Sequence, residues 1–170
     1  MSYLCSAHSC PRARRQEKGF TLLEVLISIT LMAIVAAIAM PAFRSASSTA
    51  ALRRATGDLV SALNTARTQA VNLRLDVVVQ EQGGDWTNGW TVNYQYPVAT
   101  LAVDRVEQDQ TFTQPGTVAV AEAGGATSLT FLSTGFLSGG AAQFTLCIDS
   151  HLRTIDVSAL GRVTNTQGSC

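Results

Sequence analysis

A single glutamate interrupts a long apolar run near the start of this chain. From Phe20 to Met40 the sequence has no charged side chain except Glu24. A helix rises about 1.5 Å per residue, so this run is long enough to cross the roughly 30 Å hydrocarbon core of a bilayer. An ionised carboxylate at that depth costs about 3 kcal/mol on insertion scales, so its presence indicates a function and a cationic partner. That partner is not within the run itself.

The residues before the run are basic. The charged side chains of 1–19 are Arg12, Arg14, Arg15, Glu17 and Lys18. This bias keeps 1–19 in the cytoplasm and sends the chain after the span outward. A secretory signal peptide also starts with basic residues, and Ala37-Ile38-Ala39 is similar to its cleavage site, but its apolar region is usually only about 7–15 residues long. A plain membrane anchor is the other alternative, and it explains neither Glu24 nor the Gly19-Phe20 junction.

The junction and the run together resemble a known family signal. The stretch GFTLLEVLISITLMAIVAAIAMPAF resembles the leader junction and N-terminal helix of type IV pilins and type II secretion pseudopilins. The resemblance implies that a membrane prepilin peptidase cleaves after Gly19 and methylates the amine of Phe20. It also implies that Glu24 pairs with the Phe20 amine of a neighbouring subunit as a filament grows. The implied partners are the peptidase, other pilin or pseudopilin subunits and the bacterial inner membrane.

The sequence beyond the apolar run predicts a continued helix and then a β head. Pro41 is expected to kink the helix rather than end it, because apolar residues recur at three- and four-residue steps beyond it. These residues are Leu52, Ala55, Leu59, Ala62, Leu63, Ala66, Ala70 and Leu73. The predicted segments are a leader at 1–19, a transmembrane half-helix at 20–41, an amphipathic half-helix at 42–74 and an antiparallel β head at 75–170.

After Leu75 the apolar pattern takes the period of strands. Strands are predicted at 76–80, 90–94, 102–107, 118–121, 128–132, 143–148 and 154–157. Turns are predicted at Gly83-Gly84, Asn88-Gly89, Pro115-Gly116, Gly124-Gly125 and Gly139-Gly140. The expected fold class is α+β, a type IV pilin-like lollipop whose long N-terminal helix packs on an antiparallel sheet. Trp86 and Trp90 are interpreted as core residues, and Gly135 and Gly161 as turn residues.

The cysteines divide at the membrane. Cys5 and Cys10 lie in the leader, on the reducing side, where a structural disulfide is not expected. Cys147 and Cys170 lie in the exported head and are the only cysteines left after processing. We predict that these two pair and fasten the C-terminal tail to a strand, which contributes about 3 kcal/mol. The alternative is a free terminal thiol.

Nothing in the mature sequence predicts catalysis, a metal site or a cofactor. His151 is its only histidine, and it falls in a predicted hairpin near a paired cysteine, so neither a Ser-His-Asp nor a Cys-His set is expected. No glycine-rich phosphate loop precedes a helix. The acidic residues that could suggest a site are Asp104, Glu107, Asp109, Asp149 and Asp156. They are interpreted as solvated charges of turns and edge strands.

The head resembles the GspH/FimT group of pseudopilins and minor pilins. The resemblance lies in Trp86-Thr87-Asn88-Gly89-Trp90 and in segments near 129–135, 145–147, 153–158 and 161–163. Some members of this family are DNA-uptake pilins with a Gly-Arg-x-Arg motif. Here Gly161-Arg162-Val163-Thr164 keeps only the first arginine, so Arg162 and Arg153 are the candidate DNA contacts. From Leu75 onward three arginines face nine carboxylates, a net charge of −6, which predicts weak DNA binding.

The sequence thus predicts an assembly subunit rather than an enzyme. The first hypothesis is a minor pilin that enters or primes a type IV pilus for twitching motility or DNA uptake. The second is the type II secretion pseudopilin H, which drives protein export. A hypothesis from another class is a secreted binding protein released by signal peptidase. In the first two cases the subunit is a single-pass inner-membrane protein with a periplasmic head, which then enters a cell-surface pilus or a periplasmic pseudopilus.

Overall fold

The structure is a computed structural model that describes residues 19–98 and 100–170. The predicted leader, including Cys5 and Cys10, lies outside the described residues except for Gly19. The chain divides into two compact units, of which the first ends at Pro41 and the second spans Ala42–Cys170.

One long helix, α1, spans Leu22–Leu73. As expected from the apolar pattern, it does not end at Pro41. Its last residue is followed by Arg74, whose φ of 53° is the left-handed conformation that commonly ends a helix.

Two hydroxyl groups in the apolar part of α1 form hydrogen bonds within the helix. The hydroxyls of Ser28 and Thr30 donate to the carbonyl oxygens of Glu24 and Leu26, each at 2.7 Å. Such bonds within the helix leave no hydroxyl for lipid to solvate. The helix is long and apolar enough to cross a membrane by length and composition, and the described side chains up to Met40 are exposed.

The second unit contains eight strands in two antiparallel sheets. The strands are β1 (Val77–Gln82), β2 (Asp85–Tyr94), β3 (Gln110–Thr113), β4 (Ala119–Glu122), β5 (Ser128–Phe131), β6 (Ala142–Ile148), β7 (His151–Val157) and β8 (Val163–Ser169). The first sheet has the order β3-β2-β1-β5 and the second the order β4-β6-β7-β8. The sheets meet where the Thr87 hydroxyl bonds the backbone of Val120, accepting from its N–H at 3.1 Å and donating to its oxygen at 3.3 Å.

The core lies between the second half of α1 and the inner faces of both sheets. The apolar stripe predicted on the helix is confirmed, because it is buried from Leu52 to Ala70 and Leu73 is half-buried. Trp86 and Trp90 are core residues, also as predicted. The Trp86 indole donates to the carbonyl oxygen of Ala126 at 2.8 Å and packs edge-on against Phe144.

Two local predictions were wrong. Residues 102–107 do not form a strand, because Ala102–Asp104 is a short 3-10 helix within a loop. Asn88-Gly89 is not a turn, because it lies inside β2, where Gly89 pairs with Thr113. A side chain at Gly89 would collide with the carbonyl oxygen of Phe112, so this glycine permits close approach of two strands.

Strands β3 and β8 were not predicted. β3 has only one apolar side chain that is half-buried, and β8 has only Val163 half-buried with the rest exposed. Both are edge strands of their sheets. An edge strand with little buried surface lacks the alternation of apolar residues from which strands are predicted.

Candidate functional site

Thr21 and Glu24 define the start of α1. The backbone N–H of Glu24 donates to the Thr21 hydroxyl oxygen at 3.2 Å, which makes Thr21 the N-cap of the helix. Glu24 is therefore in the first turn, where the helix dipole favours a negative charge. The spacing Thr-x-x-Glu is that of a capping box. The local sequence thus fixes the carboxylate within one turn of the Phe20 position.

The Glu24 carboxylate lacks a cationic partner among the described residues. Within 19–98 and 100–170 the structure gives this side chain no ion pair and no hydrogen bond through its carboxylate. Glu24 is exposed, and 80% of the Phe20 surface is exposed. An unpaired Glu24 carboxylate and an exposed Phe20 therefore lie at the same end of the apolar helix.

The predicted disulfide is present at the other end of the chain. Cys147 of β6 and Cys170 are bonded, with an S–S distance of 2.04 Å. β7 lies between β6 and β8 in the sheet. The bond therefore links the end of the edge strand β8 to β6, two strands away. It fastens the C-terminal tail to a strand, as the sequence indicated.

The two candidate DNA contacts lie on different faces of the second sheet. Arg153 lies on the same face of β7 as Ile155 and Val157, which are buried in the core, so it faces the helix side. Arg162 follows the turn after β7 and lines a groove of about 590 Å³ on the other face. The structure does not combine the two arginines into one patch.

Carboxylates share the groove of Arg162. Glu122 and Asp156 line it together with Arg162. Asp156 also accepts a hydrogen bond from the Gln143 amide at 2.6 Å. Two acidic side chains against one arginine give the groove a net negative formal charge, which opposes the approach of a phosphate.

Arg153 lines a second, smaller cleft with residues of the helix. This cleft of about 270 Å³ lies between α1 and the β7–β8 hairpin. Its lining residues are Arg53, Thr56, Gly57, Val60, Arg153 and Asn165. Arg53 and Arg153 thus bring two positive charges to one small opening.

Gly161 of the Gly-Arg pair has a packing role. It is buried and has a φ of 75°. A methyl group here would lie 2.8 Å from the Arg67 Nε and would overlap the carbonyl oxygen of Gly135. Arg67 donates to that same oxygen at 3.3 Å. Glycine is therefore required at 161 by local geometry, independently of any ligand, and both glycines adopt the turn conformation predicted for them.

Hydrogen bonds at Glu107 and Asp109 hold the loop that follows β2. The Tyr96 hydroxyl accepts from the Glu107 N–H at 2.8 Å and donates to its carbonyl oxygen at 3.1 Å. The Asp109 carboxylate accepts from the Tyr94 N–H at 2.9 Å. Burial raises the pKa of Tyr94, and the nearby charge of Glu107 raises it further. Where the structure describes the chain, three or more potential ligands do not gather into a metal site.

Two family models match this chain. Residues 55–161 match type II transport protein GspH, and residues 14–40 match the prokaryotic N-terminal methylation motif. The first match alone covers more than half of the sequence. The chain belongs to the GspH family. A comparison with curated proteins found no match.

Solved structures of a type IV minor pilin share the fold of this chain. The type IV minor pilin FimU of Pseudomonas aeruginosa strain PAO1 is similar in two crystal forms, P21 and P65, each at 21% sequence identity. The P21 form has a TM-score of 0.57 and covers 70% of this chain and 92% of FimU. The P65 form has a TM-score of 0.54 and covers 69% and 96%. The predicted α+β fold, a long helix packed on antiparallel strands, is confirmed.

Two features of this GspH-family chain were missed in the sequence. The Thr21 cap had a usable signal in the Thr-x-x-Glu spacing. The shared position of Arg53 and Arg153 had no signal in the sequence. The two residues are far apart in the chain, and only the packing of β7 against α1 brings them to one cleft.

Proposed function

We propose that this protein is a filament subunit of the minor pilin or pseudopilin class. A prepilin peptidase cleaves it after Gly19 and methylates Phe20. The apolar half of α1 anchors it in the inner membrane as a single span, and the head lies in the periplasm. During assembly the Glu24 carboxylate pairs with the Phe20 amine of a neighbouring subunit.

The observation that carries this proposal is the free carboxylate in the first turn of an exposed apolar helix. Leaving that charge unpaired in lipid costs about 3 kcal/mol, and an amine from a second subunit would offset this cost. The methylation motif that covers 14–40 supports the source of this amine, because it spans the Gly19-Phe20 junction.

The filament itself can be of two kinds. Similarity to a protein described as a type IV minor pilin supports a pilus, in which the subunit enters or primes the fibre for twitching or DNA uptake. The match to a type II transport protein supports a pseudopilus that drives protein export. We place the pilus first, because the structural similarity covers 92% of a chain described as a type IV minor pilin.

The mature N-terminus tests processing. Mass spectrometry of the chain purified from its own bacterium should find a first residue at Phe20 that carries one extra methyl group. Gly19→Ala provides the comparison, and it should leave the leader attached. A mature chain that starts at Met40 would instead indicate ordinary signal peptidase and a secreted binding protein.

A charge-neutral variant tests assembly. Glu24→Gln keeps the shape of the side chain and should be cleaved normally, yet its amount in sheared filaments should fall at least tenfold. Ser28→Ala, one turn further along the same helix, removes a polar group without a charge and should assemble normally. Equal incorporation of Glu24→Gln and wild type would remove Glu24 from the mechanism.

A further inference from the structure

The small cleft between α1 and β7–β8 presents two arginines and no acid. Arg53 is exposed and Arg153 is half-buried, and both line the opening. The remaining polar lining is Thr56 and Asn165. The Thr56 hydroxyl already donates to the carbonyl oxygen of Leu52 at 2.7 Å. The free donors of the cleft are thus two guanidinium groups and one side-chain amide.

Neither arginine has an acidic partner within the described ranges. The nearest acid in the helix sequence, Asp58, accepts a hydrogen bond from the Gln114 amide at 3.1 Å and does not line the cleft. Two like charges that share an opening of about 270 Å³ repel each other. An anion placed between them would convert this repulsion into two attractions, and guanidinium groups bind carboxylates with two parallel hydrogen bonds.

Gly57 keeps the floor of the cleft open. Glycine inside a helix is unfavourable relative to alanine, so its presence in the middle of α1 needs a reason. Packing among the described residues does not require it, because a Cβ at 57 would meet nothing within 4 Å. Gly57 lines the cleft together with Arg53 and Arg153, so the missing side chain leaves more room for a group from another molecule.

From this arrangement we infer that the cleft formed by Arg53, Gly57 and Arg153 receives an aspartate or glutamate side chain of a neighbouring subunit. The inference rests on the proposed function, since it requires assembly beside other subunits. It assigns a second electrostatic contact, in the head, in addition to the contact of Glu24 in the membrane.

The geometry favours a single carboxylate over a nucleic acid. A duplex needs a row of cations that follows its phosphates. Arg162 cannot extend the row from Arg153, because it lies on the other face of the sheet among Glu122 and Asp156. The volume of the cleft suits one side chain and is far too small for a groove that tracks a duplex.

The lysine content of the sequence allows a direct chemical test. Lys18 is the only lysine in the chain and lies in the leader, so Arg153→Lys gives the mature protein a single side-chain amine. A water-soluble carbodiimide activates a carboxylate in contact with this amine. The amine then forms an amide bond, and the carbodiimide leaves as a urea that carries the carboxylate oxygen.

The experiment uses sheared filaments from the bacterium that encodes the protein. Arg153→Lys should give a covalent adduct with a second subunit, and peptide mapping should find an amide between position 153 and an Asp or Glu of that subunit. Arg162→Lys, on the opposite face, is the matched control and should give at least fivefold less adduct. No adduct from Arg153→Lys, equal adducts from both variants, or a nuclease-sensitive product would overturn the inference.

Filling the cleft provides a second measurement. Gly57→Leu, added to Arg153→Lys, should reduce the adduct at least fivefold, while the unfolding temperature stays equal or rises because leucine is the better helix former. Asn72→Leu, exposed on the same helix about four turns further on, should change neither. If wild type never enters filaments, both the proposed function and this inference are wrong. If wild type enters and the filled cleft cross-links normally, this inference fails alone.

Discussion

Gly161 lies against the carbonyl oxygen of Gly135, at the point where Arg67 of the helix donates to that oxygen at 3.3 Å. Both glycines have positive φ, 75° and 80°. The contact joins the turn after β7, the turn after β5 and the second half of α1. One added methyl group at Gly161 would overlap the Gly135 carbonyl oxygen and crowd Arg67.

Gly161→Ala should therefore destabilise the head strongly. The left-handed backbone costs a non-glycine residue about 1–2 kcal/mol, and the collision with Gly135 and Arg67 adds to this, for a total of about 3 kcal/mol or more. Gly116→Ala is the matched control, because Gly116 has a φ of 71° and open space at its Cβ position. It should cost only about 1 kcal/mol. Denaturant unfolding of the full chain in detergent measures both, and equal losses would contradict the packing argument.

The sequence predicted the parts of this fold that bury apolar surface. The helix stripe from Leu52 to Ala70 and the two tryptophans were recoverable because burial imposes a period of 3.6 on the helix and places large aromatic side chains in the core. The cysteine pair was recoverable because only two cysteines lie in the predicted head. Each of these inferences depends on the spacing of nearby residues or on the number of residues of one type, and both can be read from the sequence.

The parts that escaped prediction depend on pairing between distant segments. β8 is an exposed edge strand, held by backbone bonds to β7 that any side chain can make. Asn88-Gly89 has the composition of a turn, yet the approach of β3 keeps it inside a strand. For the candidate site, Glu24 was identified from the sequence, whereas the cleft of Arg53 and Arg153 exists only after β7 packs on α1.

Removal of the disulfide should loosen β8 first. The two cysteines are 23 positions apart, and closing such a loop contributes about 3 kcal/mol. Strand β8 has little buried surface to replace that contribution. The Cys147→Ala and Cys170→Ala double variant should unfold at lower denaturant concentration, and its β8 amides should exchange hydrogen faster than those of β6. A reducing agent should lower the stability of wild type and leave that of the double variant unchanged. A double variant as stable as wild type would contradict a stabilising role of the disulfide.

Stability should fall in alkaline solution because of Tyr94. Burial raises the pKa of Tyr94 in the folded state, with added contributions from Glu107, Tyr96 and Asp109. The unfolded tyrosine loses its proton near pH 10 while the folded one still holds it. The stabilisation is thus complete below about pH 10 and is lost as the pH rises through the folded pKa. Tyr94→Phe should flatten this decline, and absorbance at 295 nm follows the titration. An unchanged decline in the variant would assign the effect elsewhere.

DNA binding by the head should be weak and limited by two carboxylates. Arg162 shares its groove with Glu122 and Asp156, and Arg153 lies on the other face, so one duplex cannot use both arginines. With about one phosphate contact, the logarithm of the binding constant should fall with a slope near −0.9 against the logarithm of salt concentration.

Gel shifts with a short duplex at low salt should show faint binding by wild type. Combining Glu122→Gln with Asp156→Asn should strengthen it several-fold, and Arg162→Gln should abolish it. Arg105→Gln is the control, because that guanidinium lies 5.6 Å from the Tyr96 ring in the loop. Tight binding at 150 mM salt, or an equal loss with Arg105→Gln, would show that DNA is held by another surface.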